Sequence, residues 1–434
     1  MLILLTHANH LFADRKQVRK MQPYPPLHTL IAAAHLRNHG FEVAFFDATF
    51  DRDIEPALDR IRPDLVAVCE DSFNFLTKMC LLQNRELAFE IADLCSQRGI
   101  PSVVHSSDAT DHAPSYLAAG FARVISGELE PTLLELCRRG PESVAEAAPI
   151  HDLDRLPSPA WDLVDIDRYR QAWLDAHGYF SLNLVSSRGC PYRCNWCAKP
   201  LFGDAYRHYS PQRVAAELAC LRDRFHPDCV WFGDDIFGLS AQWTREFASC
   251  MERKGARVPF RIQSRCNLMT AETADALRRA GCSEVWMGVE SGSQRILDAM
   301  EKGIRVEQVR EARENLRRHG IRACYFLQLG YLGEEWEDIE STIRLVRDTK
   351  PDDVGVSVSY PLPNTRFHQI VQTQLSTKTN WKESGDLDMM FQGAFPSEFY
   401  RAVADAIHAE VRADSGPEST GAWDKVEQMR CACC

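Results

Sequence analysis

Apolar residues in the first 140 positions come in short runs of strand length, separated by longer stretches with helical spacing. LILLTHA (2–8), EVAFFDA (42–48), DLVAVCE (64–70), SVVHSS (102–107) and FARVISGE (121–128) read as five strands. PPLHTLIAAAHLRNHG (25–40) has helical length, a proline near its start and Gly40 as a stop signal. Residues 78–98 and 131–139 read as further helices. Strict alternation of this kind predicts an α/β fold, a doubly wound and mainly parallel sheet. Ligands of such sheets lie beyond the carboxyl ends of the strands. Thr6, His7, Asp47, Glu70, Ser106, Ser107, Ser126 and Gly127 stand there.

The pattern lapses over 141–180, where Pro, Ala and acidic residues lack sustained periodicity, as in a linker. It resumes with strands expected at 181–187, 229–234, 259–265, 284–290, 322–330 and 353–361. Helices fall between them, for example at 211–224, 271–280, 306–318 and 335–349. Six strand–helix units predict a partial (β/α)6 barrel, with its chemistry at the strand C-termini. Beyond Thr365 the pattern weakens. The expected organisation is a sheet domain (1–140), a linker (141–180), a partial barrel (181–370) and an extension (371–434).

A length of 434 residues suits two or three domains. With 45% hydrophobic and 26% charged residues, the composition excludes disordered and fibrous classes. The formal charge of −11 gives no general footprint for nucleic acid or an anionic membrane. No apolar run has transmembrane length, and MLILLTHANH reads as a strand, not a signal peptide. The expectation is a cytoplasmic protein. Sixteen cysteines then need explaining, because a reducing compartment disfavours structural disulfides. Ten are scattered singly and suit small buried hydrophobes. Six form two clusters: Cys190, Cys194 and Cys197, and Cys431, Cys433 and Cys434.

SSRGCPYRCNWCAKP follows an expected strand and carries Cys190-x3-Cys194-x2-Cys197. Three thiolates on one loop can hold three irons of a 4Fe–4S cluster and leave the fourth open. S-adenosylmethionine (SAM) can chelate that iron, and reductive cleavage of a C–S bond then gives a carbon radical. Trp196 can shield one face of the cluster. The alternatives are a zinc site, which normally wants a fourth ligand, and three unrelated cysteines.

On these residues the chain resembles a radical SAM enzyme over roughly 181–370. The resemblance implies SAM-pocket roles for Phe232, Gly233, Asp234 and Asp235 after the second barrel strand, Arg265 after the third, and Glu290 and Ser291 after the fourth. Against this stand a helix N-cap for the aspartates and a buried ion pair for Glu290. LGYLGEEWEDI (329–339) is similar to the G-x-x-G-E turn of that family, with Leu332 in place of a commoner proline. MQPYPPLHTLIAAAHLRNHGFEV (21–43) and VISGELEPTLLEL (124–136) resemble the Rossmann-like, cobalamin-binding domain of one branch. That implies a cobalamin site. No Asp-x-His-x-x-Gly string supplies a histidine ligand for cobalt, and a domain retained as scaffold is the alternative.

The ending Met429-Arg430-Cys431-Ala432-Cys433-Cys434 reads as a mobile tail of soft ligands. It is similar to the endings of radical SAM enzymes of arsinothricin synthesis. Zinc, a second cluster and trivalent arsenic all suit such thiols. The resulting expectation is transfer of a 3-amino-3-carboxypropyl group from SAM to arsenic held by Cys431, Cys433 and Cys434. The alternative is a cobalamin-dependent radical SAM methyltransferase acting on an unactivated carbon or phosphorus. A noncatalytic cobalamin- or metal-sensing module is a third reading, disfavoured by the intact cysteine loop. Either enzyme would take a small-molecule or metalloid substrate and a reductant such as flavodoxin or ferredoxin.

Overall fold

The computed structural model describes residues 1–141, 149–199, 201–255, 257–413 and 417–433, without the side chains of 413, 417–419, 432 and 433. Its residues divide into two compact units. The first comprises Met1–Pro191, Lys199–Asp235 and Asn380–Asp386, and the second Tyr192–Ala198, Ile236–Thr379 and Leu387–Cys434.

The first unit holds five parallel strands, β1 (Leu2–Thr6), β2 (Glu42–Phe45), β3 (Leu65–Cys69), β4 (Ser102–His105) and β5 (Arg123–Ile125). Their order is β2-β1-β3-β4-β5. The order reverses between β1 and β3, so a ligand crevice is expected at their carboxyl ends. Both faces are covered, as a parallel sheet requires. Ile3, Leu5, Leu65 and Ala67 pack with Leu36, Leu133 and Leu136 on one face. Leu4, Val66 and Val68 pack with Leu58, Leu87 and Ile91 on the other. The two-residue period of each strand thus feeds two cores.

Four more strands belong to this unit: β6 (Ser181–Leu184), β7 (Ser187–Arg188), β8 (Arg207–His208) and β9 (Cys229–Phe232). β6 pairs with β9 in parallel, and β7 with β8 antiparallel. The second unit holds β10 (Phe260–Ser264), β11 (Cys282–Glu290), β12 (Arg322–Leu329) and β13 (Asp353–Val358), each parallel to the next. β6 and β9–β13 are the members of one six-stranded sheet. Helices Ala271–Ala280 and Val306–Arg318 span the residues their periodicity predicts.

Two expectations need correction. The stretch read as a linker contains the helix Ile166–His177, which buries Ile166, Tyr169 and Trp173. Trp173 Nε1 donates to the Pro23 carbonyl at 2.7 Å. The ending read as a mobile tail is helical from Pro417 to Cys433.

Residues 380–386 return to the first unit. Asn380 Nδ2 donates to the Cys80 carbonyl at 2.7 Å, and Leu82 N to the Trp381 carbonyl at 2.8 Å. Ser384 Oγ accepts from Gln17 Nε2 at 2.8 Å, while Ser384 N donates to Asp14 Oδ2 at 2.7 Å. Trp381 is buried. Among the described residues no helix is long and apolar enough to cross a membrane.

Candidate active site

The cysteine loop is shaped before any ligand is considered. Gly189 has φ +77°, and a Cβ there would lie 2.4 Å from the Ala205 carbonyl oxygen, so only glycine fits. Lys199 Nζ donates to the Cys190 carbonyl at 2.8 Å. In the second unit, Cys197 N donates to the Cys194 carbonyl at 3.1 Å. Asn195 fixes the chain between them. Its N donates to the Met300 carbonyl at 3.0 Å and its Nδ2 to the Ala299 carbonyl at 2.7 Å, and its Oδ1 accepts from Tyr331 OH at 3.0 Å. Trp196 packs against a cluster containing Ile296, Met300, Tyr331 and Phe367, and its buried Nε1 has no hydrogen-bond partner.

Cys190, Cys194 and Cys197 are half-buried, whereas Cys69, Cys80, Cys95, Cys137, Cys229, Cys250, Cys266, Cys282 and Cys324 are buried. Burial pushes the Cys95, Cys137 and Cys266 thiols up to about 12, which keeps them protonated. The loop thiols, by contrast, are open to ligation and gathered on one loop. Among the described residues no three His, Cys, Asp or Glu side chains gather around one metal position. The thiolates of a 4Fe–4S cluster bind separate irons and need no shared centre.

The residues at the end of β9 are more enclosed than their expected SAM contacts require. Phe232 is fully buried, and a Cβ on Gly233 would lie 2.8 Å from the Phe73 carbonyl oxygen. Asp234 is fully buried. It accepts from Ser186 N at 3.0 Å, Ser186 Oγ at 2.8 Å and Ser187 Oγ at 2.5 Å. Burial pushes its carboxyl up to about 7 against these hydrogen bonds. Asp235 pairs with Lys78. In this arrangement both aspartates are tied to protein groups, and Asp234 holds the turn that leads into the cysteine loop.

In the second unit, Arg265 Nη1 lies 3.5 Å from Cys194 Sγ. Glu290, at φ +63°, follows a register shift in β11 and accepts from Lys302 Nζ at 2.6 Å. A Cβ on Gly288 would lie 2.6 Å from Lys302 Nζ and 2.7 Å from Glu290 Oε1, so glycine makes room for this pair. Burial pulls the Lys302 amine down, but Glu290 and Cys194 together pull it up and the net shift is upward. Ser291 is fully buried beside Thr342, with 3.2 Å between their hydroxyls.

Sequence reasoning did not single out Gln328 at the end of β12 or Ser359 just after β13. Gln328 Oε1 and Ser359 Oγ are buried without partners. Glu334, in the G-E turn, accepts from Gly330 N at 2.5 Å through Oε2, and its Oε1 has no partner. These orphaned polar atoms fit a polar ligand. Burial pushes Glu334 up to about 8. An acid raised in the folded state stabilises below its ordinary value, about 4.5, and loses that contribution as pH rises through about 8. Glu334→Gln should therefore flatten the decline in stability between pH 5 and 9, by up to roughly 4 kcal/mol. Urea unfolding at several pH values measures this.

Polar contacts also dominate the strand ends of the first sheet. His7 Nε2 bonds Asp47 Oδ1 at 3.1 Å, and Asp47 Oδ2 accepts from Tyr169 OH at 2.8 Å. Glu70 Oε1 accepts from Ala8 N at 2.8 Å, its Oε2 has no partner, and burial pushes the group up to about 7. Ser106 caps the short helix that begins at Ser107, and Gly127 O lies 3.0 Å from His105 Nε2. Next to this edge lies a buried charge cluster. Arg188 is 1% exposed and donates to Glu128 and to both oxygens of Glu130, the latter at 2.6 and 3.0 Å. Arg207 also donates to Glu128. His28 Nε2 lies 3.4 Å from Glu130 Oε1. The sequence signal was an arginine two residues before Cys190 and two acids in SGELE, which sequence reasoning did not connect.

Of the terminal cysteines, Cys431 is exposed on the last helix, and the guanidinium of Arg430 lies 4.9 Å from the Trp336 ring centre. The Cys433 side chain and Cys434 lie outside the described residues.

Residues 184–346, which include the whole cysteine loop, match the radical SAM superfamily. An uncharacterized methyltransferase of Pyrococcus horikoshii is 29% identical over 241 residues, covering 55% of this chain and 51% of the relative. The chain thus spans about half the length of that relative. The radical SAM methyltransferase TsrM of Kitasatospora setae, solved with cobalamin and a 4Fe–4S cluster, is 20% identical. It superposes with a TM-score of 0.69 over 86% of this chain and 78% of its own. The cobalamin-dependent radical enzyme OxsB, solved with aqua-cobalamin and SAM, is 16% identical, with a TM-score of 0.73 over 99% of this chain and 71% of its own. The fold is that of these enzymes: a Rossmann-like domain followed by a parallel half-barrel. The chain carries a radical SAM domain, whose cofactors are a 4Fe–4S cluster and SAM.

Proposed function

We propose that the protein is a cobalamin-dependent radical SAM methyltransferase. The observation that carries this reading is the pinned loop with three accessible cysteines at the end of β6. The likeness of the fold to two cobalamin-binding enzymes supports it. Cys190, Cys194 and Cys197 would hold the cluster, which would supply the electron for reductive cleavage of SAM. Asn195 and Trp196 fix and shield the loop. Ser291, Gln328 and Ser359 offer polar groups to SAM at the strand ends of the barrel, and the Glu290–Lys302 pair sets the wall beside them. Phe232, Gly233, Asp234 and Asp235 shape the turn below the loop.

The corrin belongs at the strand ends of the first sheet. His7 is bonded to Asp47 and His28 to Ser72, and the fully buried His105 has its Nε2 3.0 Å from the Gly127 carbonyl. Bound cobalt is therefore expected to lack a protein imidazole ligand. By electron paramagnetic resonance (EPR), cob(II)alamin on protein carrying 15N-labelled histidine should give the same spectrum as on unlabelled protein. Carbon–arsenic bond formation at Cys431, Cys433 and Cys434 has no support among the relatives described above, so the methyltransferase takes precedence.

Anaerobic turnover with methyl-deuterated SAM, with and without arsenite, tests the choice. S-adenosylhomocysteine, together with deuterium in a product, is the expected outcome. Arsenite-dependent 5′-methylthioadenosine would overturn it in favour of aminocarboxypropyl transfer.

A further inference from the structure

Arg265 stands at the end of β10, where a direct SAM contact is expected, yet its nitrogens already have partners. Nε donates to Asn267 Oδ1 at 3.2 Å, Nη2 to the Lys302 carbonyl, and Nη1 to Cys194 Sγ at 3.5 Å. The guanidinium carbon lies over the Tyr192 ring, 3.7 Å from its centre. Only 5% of the residue is exposed. Two residues of the cysteine loop, Tyr192 and Cys194, thus meet one rigid planar cation.

We infer that Arg265 is a positioning residue that clamps the loop through Tyr192 and, by donating to the Cys194 thiolate, makes the cluster easier to reduce. The inference rests on the cluster assignment proposed above. A hydrogen bond from a cation to a ligating sulfur favours the more negative, reduced state, and such bonds are among the levers that set cluster potentials. The neighbouring cation cannot substitute. The charge of Lys302 is taken up by Glu290 at 2.6 Å, whereas among the described residues no carboxylate pairs with Arg265. Stacking on an aromatic face and a fixed fork of donors are properties that lysine lacks.

The test is a dye-mediated redox titration of the reconstituted full chain without SAM, followed by EPR, for wild type, Arg265→Gln and Arg265→Lys. Iron and sulfide are measured alongside. The glutamine variant should keep its cluster and titrate at a more negative midpoint. The lysine variant should fall between it and wild type. An unmoved midpoint in the glutamine variant at full iron content overturns the inference, as does a defect confined to SAM affinity. If the glutamine variant fails to hold iron, the lysine variant decides, and a wild-type midpoint there overturns the inference. Absence of a cluster from wild type would instead sink the cluster assignment itself.

Discussion

Cys194→Ala is expected to remove both the cluster and all SAM cleavage. Anaerobically reconstituted wild type should carry about four irons per chain with visible charge-transfer absorption. The variant should fall to background, because two thiolates on one loop do not retain the cubane. Cys194 is also the thiol that meets Arg265, at 3.5 Å, so its loss leaves a buried guanidinium without one of its acceptors. A serine at the same position tests whether space or sulfur matters. Iron content and SAM cleavage unchanged in Cys194→Ala would refute the assignment of the loop. Cys220→Ala is the control, a half-buried thiol on the helix Pro211–Phe225 that should leave iron unchanged.

Arg188→Met should be the most destabilising single change in the first unit. The guanidinium is buried among Phe73, Phe202, Glu128 and Glu130. Removing one partner of a buried ion cluster leaves uncompensated charge, at a cost of about 3–5 kcal/mol. Burial works against the charged form of Glu130, yet Arg188 and His28 together hold the carboxyl well below its ordinary range. With the arginine gone, Glu130 should take up a proton at neutral pH. The paired change Arg188→Met with Glu130→Gln should recover part of the loss, which a double-mutant cycle in urea would measure. Additive losses would show that the two groups do not interact. The variant also bears on the cluster, since Gly189 and Cys190 follow directly and Gly189 has no room to shift against Ala205.

What the sequence revealed depended on how local the determinants were. The cysteine loop was legible because its ligands lie within eight consecutive residues and its glycine signals a tight turn. The helices at 271–280 and 306–318 were legible because their apolar stripes and capping residues are local. The helix Ile166–His177 was missed because Ile166, Tyr169 and Trp173 are its only buried positions, set among charged residues. Asp234 was read as a ligand contact because its partners, Ser186 and Ser187, lie 48 and 47 residues earlier. Arg188 escaped notice for the same reason, its carboxylates lying 60 and 58 residues upstream. Gln328 and Ser359 carry no sequence signature, because an unpartnered polar atom exists only once the chain around it has folded.

The return of residues 380–386 to the first unit has a consequence for synthesis on the ribosome. An amino-terminal domain ordinarily folds while the rest of the chain is still being made. Here Leu82, Gln17 and Asp14 await partners that are translated about 300 to 370 residues later. The first sheet can assemble early, but the edge formed by Asp14, Gln17 and Cys80 stays open until nearly the whole polypeptide has emerged. A cofactor loading at that sheet would meet an unfinished protein during translation and a closed one afterwards. Ribosome-bound chains stalled before residue 380 should therefore be cut by protease near Gln17 and Leu82, and released full-length protein should resist.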